Sequence, residues 1–400
     1  MSGADCTQNI PFAPDVELNR DNSLKISFLI YAIRAIIPIA PLTTLIGDNM
    51  IEFKELSSDQ IRQHVDTEQS YEVYGRSLKE YDQRFAGSMS WKTSTNGKEY
   101  LYKKTSGIWK SLGPRSPETE TIYKQFHSGR DNTKDRLTRL AQRLDELAPV
   151  NRAMALGRVP LLTARIVRAL DKSGLMGTAV DVVGTNALFV YERLGGVQIT
   201  SGLLSTQDVD LLMDSRFSLR LISQEFGAKG LIGLLQKIDH SFAPLAKNSY
   251  RAANRDGFLV DLIKPTPRNV MASGGKSRFS ADEDDLQAIE IEGLSWLVNS
   301  PKVSAVVIDQ RGYPLAYSCP DPRAFALHKL WLSRRADRDA AKRIRDGMQA
   351  RAVADLVRTR LSHLSFESSD LQALPLSLRQ LAPELQPGGD SMEQSISPNW

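Results

Sequence analysis

Cysteine is almost absent. Cys6 and Cys319 are the only two in 400 residues and lie far apart in sequence. That excludes a disulfide framework and cysteine-based metal spacings. A reducing, cytoplasmic setting is the simplest expectation. Histidine is sparse too: His64, His127, His240, His328 and His363 include no pair at zinc-protease spacing. An excess of one charge is also lacking. Lys and Arg number 51 against 47 acidic residues, a net charge of +4, so any basic footprint for nucleic acid must be local. The one long apolar run, Ile26 to Ile46, holds Arg34 and is interrupted by Pro38 and Pro41. The arginine alone costs about 2.5–3.5 kcal/mol on insertion scales, so a membrane anchor is not expected. No small-residue cleavage pattern marks a signal peptide. The plainest expectation is that Met50 is the natural start and residues 1–49 are a poorly structured extension.

What is present is an ordinary globular composition, 41% hydrophobic and 24% charged, with length for two or three domains. Apolar spacing predicts helices over Glu55–Val65 and Tyr71–Phe85. Trp91–Thr93, Tyr100–Lys103 and Ile108–Leu112 read as a three-stranded meander. Asn96-Gly97 would supply two positive-φ positions for its first turn, and Ser106-Gly107 forms the second. A helix is expected from about Ser116, with a charged helix running on from Lys134 to Leu147. A second unit then begins near Asn151. It has a helix from Pro160 to Asp171, a strand over Thr178–Val183 and a helix over Asn186–Leu194. A strand over Gln207–Leu212 and a helix over Phe226–Ile238 follow. Two hairpins come next, Tyr250–Ala253 with Phe258–Ile263, and Val303–Asp309 with Tyr313–Tyr317. Two basic helices, Pro322–Arg335 and Asp337–Val357, close the pattern. The expected division is an extension (1–49), a helical and three-stranded region (50–150), a catalytic core (151–270), a linker (271–285), a C-terminal hairpin with helices (286–369) and a flexible tail (370–400).

The chemistry concentrates in Asp208-Val209-Asp210. Side chains alternate along a strand, so both carboxylates share a face while Val209 points into the core. Such neighbours resist ionising together. A hard divalent cation, Mg²⁺ or Mn²⁺, relieves that repulsion and favours carboxylate and phosphate oxygens. Asp261 lies within the apolar strand Phe258–Ile263, where a carboxylate is costly unless paired or metal-bound. Either acid on its own could equally be a surface or salt-bridged strand residue. Gly184-Thr185-Asn186 ends a strand and opens a helix, with Thr185 as an N-cap. Helix N-termini favour phosphate, although a plain strand-to-helix turn would look the same.

In this order the pieces resemble the nucleotidyltransferase superfamily, the DNA polymerase beta-like minimal fold. The resemblance implies an α+β chain: a mixed sheet flanked by helices, with an N-terminal helix and small three-stranded sheet and with C-terminal helices. It also implies catalytic and metal roles for Asp208, Asp210 and Asp261, and nucleotide binding at Gly184, Thr185 and Asn186. Thr185 stands where serine or glycine is usual. The Asn186–Gln207 connection is long, which predicts an inserted loop around Gly195–Ser205. Phe325–Leu330, Arg334-Arg335, Lys342 and Arg345-Asp346 are similar to the helical motifs of abortive-infection toxin nucleotidyltransferases. That similarity implies triphosphate contacts for Lys329 and Arg335 and an orienting role for Asp346; a solvated basic helix is the other reading. The stretches Phe85–Lys92, Tyr100–Tyr102 and Lys110–Ser116 resemble a bacterial nucleotidyltransferase-fold subfamily with a long N-terminal extension. The implied activity is transfer of a nucleoside monophosphate from an NTP such as ATP to RNA, a protein or a small molecule. A catalytically inactive nucleotide-binding or nucleic-acid-binding regulator is the alternative. In the meander, Lys92, Lys103, Lys110 and Arg115 interleave with aromatics and are candidate nucleic-acid contacts, or the aromatics form the sheet's own core.

Overall fold

A computed structural model describes residues 53–204, 206–214, 216, 229–267 and 277–386. The apolar run Ile26–Ile46, the expected extension 1–49 and residues 387–400 of the tail lie outside the described residues. Among the described residues no helix is long and apolar enough to cross a membrane.

The chain begins with a two-residue strand, β1 (Lys54–Glu55), and a 27-residue helix, α1 (Ser58–Arg84). A reciprocal cap sets the start of α1. The Gln60 amide donates to Ser57 Oγ at 3.2 Å and the Ser57 amide donates to Gln60 Oε1 at 2.9 Å. The two short helices expected here are one. The polar stretch Asp66–Ser70 does not break it, because Thr67 turns its hydroxyl back to the Gln63 carbonyl at 2.8 Å. Three antiparallel strands follow: β2 (Ser88–Thr93), β3 (Glu99–Thr105) and β4 (Ile108–Pro114). Next comes α2 (Pro117–Ala153), a single helix of 37 residues that absorbs both expected segments. Ser116 and Thr119 cap it reciprocally, and Pro117 sits where the missing N–H costs nothing.

The meander is as expected but its turns exchange roles. Asn96 does not take positive φ; only Gly97 does, in a loop closed from the Ser94 amide to the Lys98 carbonyl at 2.8 Å. The turn with two positive-φ residues is Ser106 (51°) and Gly107 (83°), the geometry that matches strand twist.

The described chain forms two compact units, one of residues 81–141 and one of residues 53–80 with 142–386; the boundary falls inside α1 and α2. The first has its own small core of Phe85, Met89, Leu101 and Phe126.

The second unit is a mixed α+β layer structure. Its elements run α3 (Leu161–Lys172), β5 (Val180–Val183), a 3-10 turn Gly184–Ala187, α4 (Leu188–Gly195), β6 (Val197–Gln198), α5 (Ser201–Leu204), β7 (Asp208–Met213), α6 (Gly230–Ile238), β8 (Ala243–Pro244), β9 (Arg251–Ala253) and β10 (Leu259–Pro265). Then come β11 (Ile289–Ile291), α7 (Leu294–Asn299), β12 (Lys302–Ile308), β13 (Pro314–Pro320), α8 (Pro322–Ser333) and α9 (Ala340–Arg360). Six strands make one sheet in the order β5-β7-β10-β9-β8, with β11 also on β10. β7 and β10 are parallel neighbours at its centre, and the other edge of β10 is shared by β9 along its first half and β11 along its second. This explains why Val260 to Lys264 are all buried, Asp261 among them: a strand covered on both edges is buried along its length. The expected insertion after α4 is regular, a strand and a short helix, with Ser205 outside the described residues. Phe226, the expected start of α6, lies outside them as well.

Two loop expectations are corrected. Of the stretch read as a linker, residues 277–285 carry no regular element, yet Phe279 and Asp285 are buried. Asp285 Oδ1 accepts the Ile232 amide of α6 at 3.1 Å and Oδ2 accepts the Ser280 amide at 3.0 Å. The flexible tail from 370 does not hold as far as Gln386. Short helical turns bring Leu371, Leu374, Leu378 and Leu385 into the main core. The Pro and Ser content of this stretch shortens its helices without removing its apolar anchors.

Candidate active site

Asp208 and Asp210 alternate along β7 with Val209 fully buried between them. Register brings the third acid in: Asp261 on β10 pairs with Asp210, and Leu259 pairs with Asp208. Parallel partners at one register position share a sheet face, on strands about 4.8 Å apart. Across the other edge of β7, Val183 of β5 pairs with Asp210, and Gly184 follows at φ +66°. A Cβ on Gly184 would collide with the Asp210 carboxylate. The glycine therefore serves both the left-handed backbone and the close approach of the turn to the acid. Asn186, buried, ties the same turn to β7 by donating from Nδ2 to the Asp208 carbonyl at 2.8 Å. The aspartate pair, the third aspartate and the glycine turn are thus one constellation.

Thr185 is placed differently from its expected cap. It lies inside the 3-10 turn, whose N-cap residue is Val183 with no side-chain cap bond. Its hydroxyl accepts from Gln349 Nε2 at 3.1 Å, and that amide also donates to the Leu203 carbonyl at 2.9 Å. Gln349 lies on α9 and is completely buried. The amide oxygens Asn186 Oδ1 and Gln349 Oε1 are buried without a donor.

The electrostatics follow from the crowding. Burial, then the charges of Asp208 and Asp261, push Asp210 up from 3.8 to about 7, against the opposing pull of Lys329 and Arg251. Asp208 is half-buried and accepts from the Thr206 hydroxyl. Asp261 is the exception to the expected arrangement. Arg251, its partner across β9 and β10, forks onto both of its oxygens, Nε to Oδ1 at 2.6 Å and Nη2 to Oδ2 at 2.5 Å. Among the described residues no group of three or more His, Cys, Asp or Glu side chains is arranged to hold a metal ion. Of the three aspartates expected to share a cation, Asp261 is engaged by Arg251 in this structure. Asp208 and Asp210 do fit a hard cation: two acids on one face, one driven toward protonation by its neighbours.

Lys329 and Asp346 meet, in a different geometry from the one expected. Lys329 on α8 donates from Nζ to Asp346 Oδ1 at 2.7 Å, while Arg338 Nε engages the other oxygen. Both members of the Lys329–Asp346 pair are buried. Burial lowers the Lys329 ammonium below its ordinary value, and Asp346 and then Asp210 counter it. Burial alone would raise Asp346, but Lys329 and Arg338 hold it below the usual carboxylate range. Asp346 therefore aims Lys329, and Lys329 carries positive charge toward Asp210. Arg335 is not brought to the acids. It bonds Asp337 and Glu292 and lies over the Trp331 ring, 4.7 Å from its centroid. Arg251, Arg338 and Gln349 were missed from sequence. Only Arg251 left a signal: counting back across the expected hairpin from Asp261 reaches it.

In the first unit, Lys103 lies over Phe126, and Arg115, exposed, bonds Glu99 and Glu120. Lys92 stands on the outer face, and Lys110 pairs with Lys103 across β3 and β4.

The sequence model of a family described as "Nucleotidyltransferase" matches residues 162–375, just over half of the chain. The match contains every residue of the aspartate constellation and excludes the three-stranded sheet. No curated protein and no solved structure matches the chain.

Proposed function

The chain belongs to the nucleotidyltransferase family, and from that premise we propose that Asp208 and Asp210 are the centre of a divalent-cation-dependent transfer of a nucleoside monophosphate from an NTP to an acceptor hydroxyl. The observation that carries this is the convergence of Gly184, Asp208, Asp210 and Asp261, which depends on two registers and one positive-φ turn. When bound, Mg²⁺ would neutralise the acids and the phosphate oxygens and lower the pKa of the acceptor hydroxyl.

The chain's own residues have separable tasks. Asp208 and Asp210, on one face of β7, would hold the cation. Gly184 lets the backbone of the turn approach the phosphates. Lys329, aimed by Asp346, supplies positive charge for the triphosphate. Arg251 balances Asp261 so that three carboxylates need not ionise unpaired in one place. The acceptor oxygen forms a bond to the α-phosphorus as the bond to the bridging oxygen breaks, pyrophosphate leaves, and the hydroxyl proton passes to solvent. Preorganised charge and alignment supply most of the acceleration. The acceptor class is RNA, a protein or a small molecule.

Purified protein incubated with each α-labelled NTP, Mg²⁺ and either total RNA or lysate should transfer label. Asp210→Asn should abolish transfer and keep the circular dichroism spectrum. Transfer retained by the variant would refute the assignment. The second reading, a nucleotide-binding protein without turnover, draws on the Arg251 fork over Asp261. It predicts nucleotide binding by calorimetry with no labelled product from any NTP.

A further inference from the structure

We propose that the outer face of the three-stranded sheet binds single-stranded nucleic acid. The sheet lies wholly in the unit of residues 81–141 and outside the family match, so this surface does not depend on turnover at the aspartates.

Alternation divides the sheet cleanly. Met89, Leu101 and partly buried Trp91 pack with Phe85 and Phe126 into the small core. Tyr100, Tyr102 and Lys104 of β3 then point the other way. Their cross-strand partners are Lys92 for Tyr100 on β2 and Trp109 for Lys104 on β4. Ring contacts confirm a shared face. Lys92 Nζ lies 3.3 Å from the Trp109 ring centroid and 5.7 Å from that of Tyr102, Lys104 Nζ lies 5.3 Å from Trp109, and Tyr102 meets Trp109 edge to face at 6.4 Å. On this face Trp109 is 42% exposed.

The charge is local to this unit. Residues 81–141 hold twelve Lys and Arg against six Asp and Glu, a charge of +6, where the whole chain carries +4. A core-forming role for the aromatics accounts for Trp91 and leaves Tyr102 and Trp109 unexplained. Cations beside exposed aromatic rings match a strand whose phosphates and bases alternate. The ammonium groups now resting on Trp109 would turn to phosphates and free the indole face for a base. A duplex hides its base faces by stacking, so the surface favours single strands.

The test is fluorescence anisotropy of labelled 15-nucleotide single-stranded RNA, single-stranded DNA and duplex with the full chain from 50 to 300 mM KCl. Single strands should bind more tightly than duplex. At about 0.7 per neutralised phosphate, two lysine contacts give a log–log salt slope near −1.4. Trp109→Ala should weaken binding about fivefold or more, and Lys92→Gln with Lys104→Gln about tenfold or more. These side chains lie on the outer face, so the variants should keep wild-type circular dichroism, and Trp109→Phe should bind more tightly than Trp109→Ala. A flat salt response, tighter binding to duplex, or variants that bind like wild type would overturn the proposal.

Discussion

Asp210 sits where three influences act on one carboxylate: burial, two like charges and the edge of a glycine turn. Its value of about 7, up from 3.8, makes metal-free stability depend on pH. The folded chain holds a proton that the unfolded chain releases near pH 4. The contribution is therefore fully present below about pH 4 and is lost as pH rises through 7. Asp210→Asn removes that dependence. In urea unfolding without divalent cations, the variant should gain on wild type from pH 5 to about pH 7 and level off by pH 8. A stability difference that stays constant across that range would show that the crowding does not perturb Asp210. The same residue scale shows why Arg251 matters. Without it, Asp261 would add an unpaired charge beside an acid already near its titration point.

At the scale of elements, α8 and α9 are joined through Lys329, Asp346 and Arg338. Removing one member of a buried pair leaves a stranded charge. Asp346→Ala should destabilise by about 3–5 kcal/mol in urea melts. Lys329→Met combined with Asp346→Leu should cost less than the two single changes summed; additive losses would mean the pair is not coupled. Much of this layer was legible beforehand. The alternation around Asp208, the hairpin leading to Asp261 and the helices carrying Lys329 and Asp346 all follow from period and turn residues. The partners that set the chemistry do not. Gln349 reaches Thr185 and Leu203 from α9 across sequence distances that no local pattern records, and Arg338 reaches Asp346 from the turn between α8 and α9. Thr185 reads as a cap because caps are local, and is used instead in a long-range bond to Gln349. α1 was split in error because polar residues in mid-helix look like a break until a buried partner satisfies them.

For the whole molecule, the core extends further along the chain than its composition implies. Leu371, Leu374, Leu378 and Leu385 belong to the same apolar cluster as the sheet that carries the aspartates. A chain ending at Ser368 forfeits their burial, about 1.5–3 kcal/mol for each leucine before the ordering cost is offset. It should lose on the order of 4 kcal/mol of stability, read as a lower urea midpoint. An unchanged midpoint would mean the segment only rests on the surface. The charge is also unevenly spread: one small unit carries more positive charge than the entire chain shows in sum.

The pairing of Asp210 with Asp261 has a consequence for how the chain finds its fold. A slip of one residue between β7 and β10 would turn one acid toward the hydrophobic interior and break the pairing of Asp261 with Asp210. The carboxylates gathered for chemistry thus also favour one strand alignment, the register that keeps them together on one face of the sheet.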